Sequence, residues 1–253
     1  MGISLRHTKI LELLKQNNSV SVSELAEILQ VSLVTIRKDL SQLEEQKLLY
    51  RSHGSAILIN PYINERHVNE KEKLARVEKQ AISRAAAALI NARDSIIIAS
   101  GTTMTFFASE INVTEPLTVI TSSVVVSQLL ACNKNIEVIQ LGGFVRNSSI
   151  SVVGNYAERM MENFSCSKLY LGVDGIDLEY GLTTTSSPEA SLNRAMISAA
   201  QKTIVLCDSS KFGRRGFGRI CKLDEIDQII TDSKISPKIA EKLREQGIEV
   251  TIV

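Results

Sequence analysis

The sequence lacks the features that would assign it to a charge-dominated, disulfide-rich or zinc-binding class. Lysine and arginine total 29 and aspartate and glutamate 28 in 253 residues, so the net charge is only +1. Any nucleic-acid contact must therefore come from the local placement of cations. The four cysteines, Cys132, Cys166, Cys207 and Cys221, include no C-x-x-C pair. Their scatter argues against a disulfide framework or zinc site and favours a reducing compartment, so we expect neither metal nor cofactor.

Long apolar runs are also missing. No run approaches the ~18 residues needed to span a bilayer, and the first 20 residues are amphipathic and carry lysines, unlike a signal peptide. We therefore expect a soluble, cytoplasmic protein without a membrane partner. The chain is 44% hydrophobic and 23% charged, as in ordinary globular proteins, and its length favours two domains.

The first 59 residues have the pattern of a winged helix-turn-helix. A predicted helix over 5–17 precedes a capping box that begins at Ser21 and starts a second helix. Ser32 is a suitable N-cap for a third helix. Two short apolar runs, 48–51 and 56–59, flank a glycine-containing turn and predict a β-hairpin. This layout is typical of DNA-binding domains.

The third helix carries cations near its N-terminus. A helical wheel with Ile36 inside groups Thr35, Arg37 and Lys38 toward the outward face, where the helix dipole also favours anions. Surface helices often carry such residues, but the surrounding layout favours a recognition helix in the major groove. The predicted DNA-binding residues lie on this helix, at helix starts and on the hairpin: Ser21, Ser32, Thr35, Arg37, Lys38, Arg51 and His53.

The rest of the chain has the pattern of an α/β domain. Residues 60–72 are polar and contain a proline, and we interpret them as a linker between a DNA-binding domain (1–59) and a second domain (73–253). That domain is predicted to open with a helix from Lys73 to Ile90. Seven β-branched runs then alternate with helices, which predicts a mostly parallel sheet. The runs are 96–99, 117–120, 136–141, 169–173, 203–206, 228–231 and 249–253.

Small and polar residues follow five of these runs. Ligands of parallel α/β sheets bind at the carboxyl ends of the strands, so we expect these residues to form one pocket. Amides and hydroxyls at a helix start suit a phosphate, a lysine adds charge, and aspartates accept hydrogen bonds from sugar hydroxyls. Each short motif alone could equally be a helix cap, a turn or a loop. The predicted effector-binding residues are Gly101, Thr102, Thr103, Thr121, Ser122, Ser123, Gly142, Gly143, Asp174, Asp177 and Lys211.

The segment "SVSELAEILQVSLVTIRKDLSQLEEQKLLYRSHGSA" resembles the N-terminal signature of DeoR-family bacterial transcriptional regulators, with Ser55 in place of a glycine. The resemblance continues through "SGTTM", "TSS", "LGG", "VDGID" and "DSSKF". It implies a repressor whose second domain resembles ribose-5-phosphate isomerase and senses a phosphorylated sugar. The stretch "LGVDGIDLEYGLTTTSSPEASLNRAM" is similar to regulators of amino-sugar and hexitol use, such as N-acetylgalactosamine catabolism.

The resemblance adds Glu189 to the predicted effector site, because this residue corresponds to the catalytic glutamate of the isomerase. The isomerase has a lysine ahead of a glycine run before that glutamate, whereas "EYGLTTTSSPEAS" has neither. We therefore expect no cation to stabilise an enediolate, and hence no turnover. An isomerase-like enzyme with an accessory winged-helix domain is the alternative, and a winged-helix protein with only protein partners is a third.

The expected partners follow from this reading. They are double-stranded operator DNA, a phosphosugar effector and further copies of the chain. A small DNA-binding domain binds weakly alone, so a homo-oligomer on repeated half-sites is expected.

Overall fold

The computed structural model describes residues 5–17, 19–45, 48–52, 54–58 and 68–253. The chain divides into two units, Met1–Ile63 and Asn64–Val253. Within the described ranges, every helix is too short or too polar to cross a membrane.

The first unit combines three helices with a small antiparallel sheet. Its elements are α1 (Leu5–Asn17), β1 (Ser19–Ser21), α2 (Val22–Leu29), α3 (Leu33–Glu45), β2 (Leu49–Ser52) and β3 (Ser55–Leu58). The central strand β3 pairs with both β1 and β2. Aliphatic side chains from all three helices fill the core, including Ile10, Leu25 and Ile36. The predicted helices and hairpin are confirmed, whereas β1 forms where the sequence indicates only a helix break.

Ser21 and Glu24 form the predicted capping box at the start of α2. The Ser21 hydroxyl accepts from the Glu24 amide at 3.1 Å, and the Glu24 carboxylate accepts from the Ser21 amide at 2.8 Å. The hydrogen bonds from Ser21 lower the pKa of Glu24. Two helix-end amide groups are thereby satisfied without tertiary contacts.

A buried carboxylate ties α1 to α3. Asp39 is 4% exposed and accepts two hydrogen bonds from the Arg6 guanidinium, at 2.5 and 2.9 Å. His7 Nε2 lies 3.3 Å from the same carboxylate. The hydrogen bond from Arg6 holds the pKa of Asp39 below its ordinary value of 3.8. The stabilisation is complete above that ordinary value and is lost as the pH falls through the lower folded pKa.

The second unit is built on seven parallel strands in the order β15-β14-β12-β9-β4-β5-β6. Its helices are α4 (Val68–Lys73), α5 (Arg76–Ala87), α6 (Thr102–Glu110), α7 (Val124–Leu130), α8 (Asn155–Met161), α9 (Ser187–Ser198) and α10 (Pro237–Glu245). Its strands are β4 (Ser95–Ile98), β5 (Leu117–Thr121), β6 (Ile136–Gln140), β7 (Phe144–Arg146), β8 (Ser151–Val153), β9 (Cys166–Leu171), β10 (Gly175–Asp177), β11 (Gly181–Thr184), β12 (Ala200–Leu206), β13 (Gly218–Cys221), β14 (Gln228–Thr231) and β15 (Glu249–Ile252).

The parallel sheet is buried on both faces. Alternate side chains of a strand point to opposite faces, and in β4 Ile97 joins one apolar cluster while Ile96 and Ile98 join the other. Helices α5, α6 and α7 contribute to the second cluster, and α8, α9 and α10 to the first. All seven strands coincide with the seven predicted β-branched runs, which confirms the α/β prediction.

Two antiparallel pieces were not predicted. β7 pairs with β8 as a two-stranded ribbon, and β11 lies between β10 and β13 in a three-stranded sheet. All five of these strands have only three or four residues. A segment this short completes too few alternations to give a clear period-two signal.

The predicted helix from Lys73 to Ile90 is interrupted in the structure. It is broken at Ala75, whose φ of 50° lies in the left-handed region and cannot continue a helix. The preceding helix α4 covers Val68–Lys73, so the end of the predicted linker 60–72 is helical and belongs to the second unit. Residues 60–67 lie outside the described part of the chain.

We expect Asp39→Asn to loosen the contact between α1 and α3. The amide cannot accept both charge-assisted hydrogen bonds from Arg6, so the free energy of local opening should fall by about 1–3 kcal/mol. Amide hydrogen exchange of α1 and α3 in the full chain at pH 7 measures this change. Glu12→Gln makes the same chemical change at an exposed position of α1. Equal exchange rates in the two variants would contradict the prediction.

Candidate functional site

A cavity opens at the carboxyl ends of the strands in the second unit. It brings together six predicted effector residues from separate chain segments: Gly101, Thr102, Thr103, Asp174, Glu189 and Lys211. Residues that were not predicted complete its lining: Lys71, Lys79, Ser100, Ser148, Ser149, Gly172, Val173, Thr184 and Thr185. The run "TTTSS" after β11 and "NSS" after β7 were the available signals for the additional hydroxyls.

The start of α6 forms one wall. Gly101 precedes the helix with a φ of 121°, a conformation that strains any residue with a Cβ. Thr102 and Thr103 then occupy its first turn, where backbone N–H groups have no acceptor inside the helix. Hydroxyls and amides at this point suit an anion.

Asp174 is the most strongly perturbed acid of the cavity. Its carboxylate accepts from Lys71 Nζ at 2.7 Å, from the Thr184 hydroxyl at 3.2 Å and from the Thr185 amide at 3.2 Å. Burial alone would raise the pKa of Asp174, but Lys71 and Lys211 outweigh it and lower the pKa to about 2. The residue is therefore ionised at neutral pH.

Lys79 is a buried cation in the cavity wall. It is 3% exposed, and its Nζ donates to the backbone carbonyl of Lys71 at 2.6 Å. Burial, together with repulsion from Lys211, lowers the pKa of Lys79 to about 8. Sequence reasoning missed both Lys71 and Lys79, because they lie in segments interpreted as a linker and an ordinary helix.

Glu189 is engaged by three donors. Arg146 Nη1 lies 2.5 Å from one carboxylate oxygen, which also accepts from the Thr184 hydroxyl at 3.2 Å. The other oxygen accepts from the Ser100 hydroxyl at 3.0 Å. Arg146 thus supplies a cation beside Glu189 that the local motif, without the lysine of the isomerase, did not indicate. The cation comes from β7, far from Glu189 in the sequence, so the local motif around Glu189 could not reveal it.

The predicted residues Thr121, Ser122 and Ser123 have structural partners beside the cavity. The Thr121 hydroxyl donates to a β4 carbonyl at 2.6 Å, and the Ser123 hydroxyl caps α7. The Ser122 carbonyl accepts from the Val152 amide at 2.8 Å. The last of these contacts anchors the β7–β8 ribbon, whose turn carries Ser148 and Ser149 into the lining.

The predicted glycines Gly142 and Gly143 lie at the base of the same ribbon. A Cβ on Gly143 would come within 2.8 Å of the Val153 carbonyl and 2.9 Å of the Val152 side chain. The Gly142 amide faces the Met160 sulfur at 3.3 Å. Gly143 thus permits the close approach of β8.

Asp177 is engaged outside the cavity lining. Its carboxylate accepts from the Glu179 and Tyr180 amides at 3.0 and 2.8 Å and pairs with Arg215 at 3.0 Å. These bonds shape the turn between β10 and β11.

The predicted recognition helix presents its cations to solvent. Arg37 and Lys38 are exposed, and the Ser32 hydroxyl accepts from the Thr35 amide at 3.2 Å. Val34 lies beside them and is 72% exposed, so this surface also carries an apolar side chain.

The other predicted DNA-binding residues, Ser21, Arg51 and His53, differ in their surroundings. Arg51 Nε donates to the Glu44 carboxylate at 2.6 Å, which ties β2 to α3. Ser21 serves as the N-cap of α2. His53 lies outside the described residues.

Family models match both units. The DeoR-like helix-turn-helix domain matches residues 6–62, and the DeoR C terminal sensor domain matches residues 74–233. The chain belongs to the DeoR family. It is thus a transcriptional repressor of the DeoR type that acts on operator DNA, and not an enzyme.

Relatives of this DeoR-family protein match along nearly their whole length. The transcriptional regulator YulB of Bacillus subtilis is 36% identical, over 100% of this chain and 98% of its own. A proposed repressor of the aga operon in Escherichia coli O157:H7 is also 36% identical, over 100% and 94%. The repressor GlcR of B. subtilis is 32% identical, over 98% and 95%.

Among solved structures, ribose 5 phosphate isomerase A from Neisseria gonorrhoeae is similar to about half of the DeoR-family chain. The match covers 53% of this chain and 52% of the isomerase, at 18% identity and a TM-score of 0.39.

Proposed function

We propose that this DeoR-family protein represses a sugar-catabolic operon under the control of a phosphorylated sugar. The sugar binds the cavity at the carboxyl ends of the strands and changes the affinity of the first unit for operator DNA. The observation that carries the proposal is the combination of clustered lysines, hydroxyls and ionised carboxylates in one cavity.

The charge of the cavity suits a phosphate ester. Lys71, Lys79 and Lys211 line the cavity with Asp174 and Glu189, and Arg146 pairs with Glu189, while Asp208 and Glu72 act on Lys79 from outside the lining. A phosphate monoester carries about −1.5 to −2 charges at neutral pH. Such a ligand would place its charge beside the lysines of the lining, whereas a neutral sugar would offer them no charge.

The remaining polar groups suit a polyol. Hydroxyls of Ser100, Thr184 and Thr185 surround the two carboxylates, and carboxylates accept hydrogen bonds from sugar hydroxyls. We assign the phosphate to the lysines and the Gly101–Thr103 segment.

DNA binding is assigned to the domain 1–59, through the N-terminal half of α3. Thr35, Arg37 and Lys38 would meet bases and phosphates in the major groove, and the exposed Val34 suits a thymine methyl group. Ser21, Ser32, Arg51 and His53 would support these contacts at the backbone. We also propose that copies of the chain associate, so that two or more helices read repeated half-sites.

The effector domain is assigned to 73–253, together with α4. Lys71 lines the cavity but lies within the segment 60–72 that precedes this domain. Helix α4, at the start of the second unit, would then take part in effector binding.

We expect Arg37→Ala combined with Lys38→Ala to weaken binding to DNA from upstream of the protein's own operon by about 10- to 100-fold. A gel shift measures the affinity, and the steepness of its salt dependence should also decrease. Lys134→Ala with Lys238→Ala removes the same charge from exposed sites of the second unit and serves as the control. Unchanged binding by the Arg37 and Lys38 variant would refute the helix assignment.

A phosphorylated sugar should shift the midpoint of this gel shift. The panel would contain pentose, hexose, hexosamine and hexitol phosphates, with their unphosphorylated forms and inorganic phosphate as controls. We expect the effective compound to raise the melting temperature as well, because a ligand of the folded state stabilises it. If no member of the panel changes either measurement, the proposal fails.

Effector affinity should fall as the pH rises from 7 to 9. An anion favours charged Lys79, so binding raises its pKa from about 8 and takes up a proton. Above pH 7 a sugar phosphate is already mostly dianionic, so its own titration contributes little. Calorimetric titrations measure the effect, and Lys79→Arg, which keeps its charge, should flatten the profile. An equal pH dependence in the variant would argue against the Lys79 assignment.

A further inference from the structure

The charged side chains at the cavity form two groups. In the first, Arg146 lies beside the lining and pairs with Glu189 at 2.5 Å. The second contains the lining lysines Lys71, Lys79 and Lys211, of which Lys71 and Lys211 act on Asp174. The two groups meet at Thr184, whose single hydroxyl proton is shared between Asp174 and Glu189, each at 3.2 Å.

We propose that the Arg146–Glu189 pair recognises the non-phosphorylated end of the effector. Glu189 accepts a hydrogen bond from a sugar hydroxyl, and Arg146 donates to a sugar oxygen. The inference rests on the proposed function and names the residues that distinguish a sugar phosphate from inorganic phosphate.

The carboxylate of Glu189 is preorganised for this contact. A carboxylate offers about four acceptor sites. Arg146 and Ser100 occupy two of them, and the Thr184 hydroxyl faces a third while sharing its proton with Asp174. The three donors fix its orientation before a ligand arrives, which lowers the entropic cost of binding. A ligand hydroxyl can take the remaining site.

Arg146 is placed by the β7–β8 ribbon. The ribbon is fastened to the parallel sheet where the Val152 amide donates to the Ser122 carbonyl at 2.8 Å. A second bond runs from the Val124 amide to the Ile150 carbonyl at 3.1 Å. Arg146 Nη2 also reaches the Ser148 hydroxyl at 3.3 Å, within the turn that lines the cavity. Ser122, one of the predicted effector residues, would thus act on the ligand indirectly, by fixing the ribbon that carries Arg146.

The pair can be removed without changing the net charge of the cavity. Arg146→Met combined with Glu189→Gln deletes one positive and one negative charge. The attraction between the lysines and a phosphate should therefore be preserved, while recognition of the sugar is lost. On α8, outside the cavity lining, Glu158→Gln with Arg159→Met makes the same two changes and is the matched control.

The test compares two ligands on the full chain by calorimetric titration: inorganic phosphate and the sugar phosphate that binds the unmodified protein most tightly. In the Arg146 and Glu189 double variant, sugar phosphate affinity should fall by about tenfold or more, as expected for losing hydrogen bonds to charged groups. Inorganic phosphate affinity should stay unchanged, and the α8 control should bind both ligands normally. Arg146→Lys, a smaller change, keeps the charge but loses the planar fork, and should weaken only the sugar phosphate.

The outcomes separate this inference from the proposed function. If the unmodified protein binds no sugar phosphate better than inorganic phosphate, the proposed function fails and the inference with it. If it does and the double variant keeps the same preference, only the inference is overturned. Equal loss of both ligands in the double variant would also overturn it, because the pair would then support the cavity as a whole.

Discussion

The ionised Asp174 at the carboxyl edge of the parallel sheet is the constraint on which the second unit depends. A buried carboxylate stays charged only if cations offset the loss of hydration, and Lys71 and Lys211 do so here. The carboxylate in turn stabilises the lysines, because Lys71 and Lys211 would repel one another without a shared anion. Asp174 also accepts from Thr184 and Thr185, so it joins α4, β9 and the end of β11 at one point.

This arrangement bears on the proposed effect of a ligand on DNA binding. Lys71 belongs to α4, the first described helix after the DNA-binding unit along the chain. A ligand that competes for Lys71 or Asp174 would act on the segment next to the DNA-binding unit in sequence. Differential affinity for two arrangements of α4 is all that coupling requires. The left-handed Ala75 sets α4 apart from α5, so α4 can respond as a separate element.

The sequence predicted the architecture well because buried strands carry an unmistakable composition. Runs such as Ile96–Ala99 have no polar face to present to water and must be covered on both sides. The site was only partly predictable. Strand-end residues such as Thr103 and Asp174 follow from topology, because parallel strands end at one edge. Lys71 and Arg146 do not, since their partners are 103 and 43 residues away along the chain. A charged residue in a polar stretch of sequence does not indicate which side chain it will pair with in the folded protein.

The buried Lys79 has a consequence beyond ligand recognition. Taking an amine out of water beside Lys71 and Lys211 costs folding free energy, as its lowered pKa records. Under the proposed function, the regulator without its effector would be the less stable form. Cells short of the proposed effector would then hold more molecules that open transiently, and proteases remove such molecules first. Repressor abundance would then follow nutrient supply through protein lifetime, alongside any effect on operator occupancy.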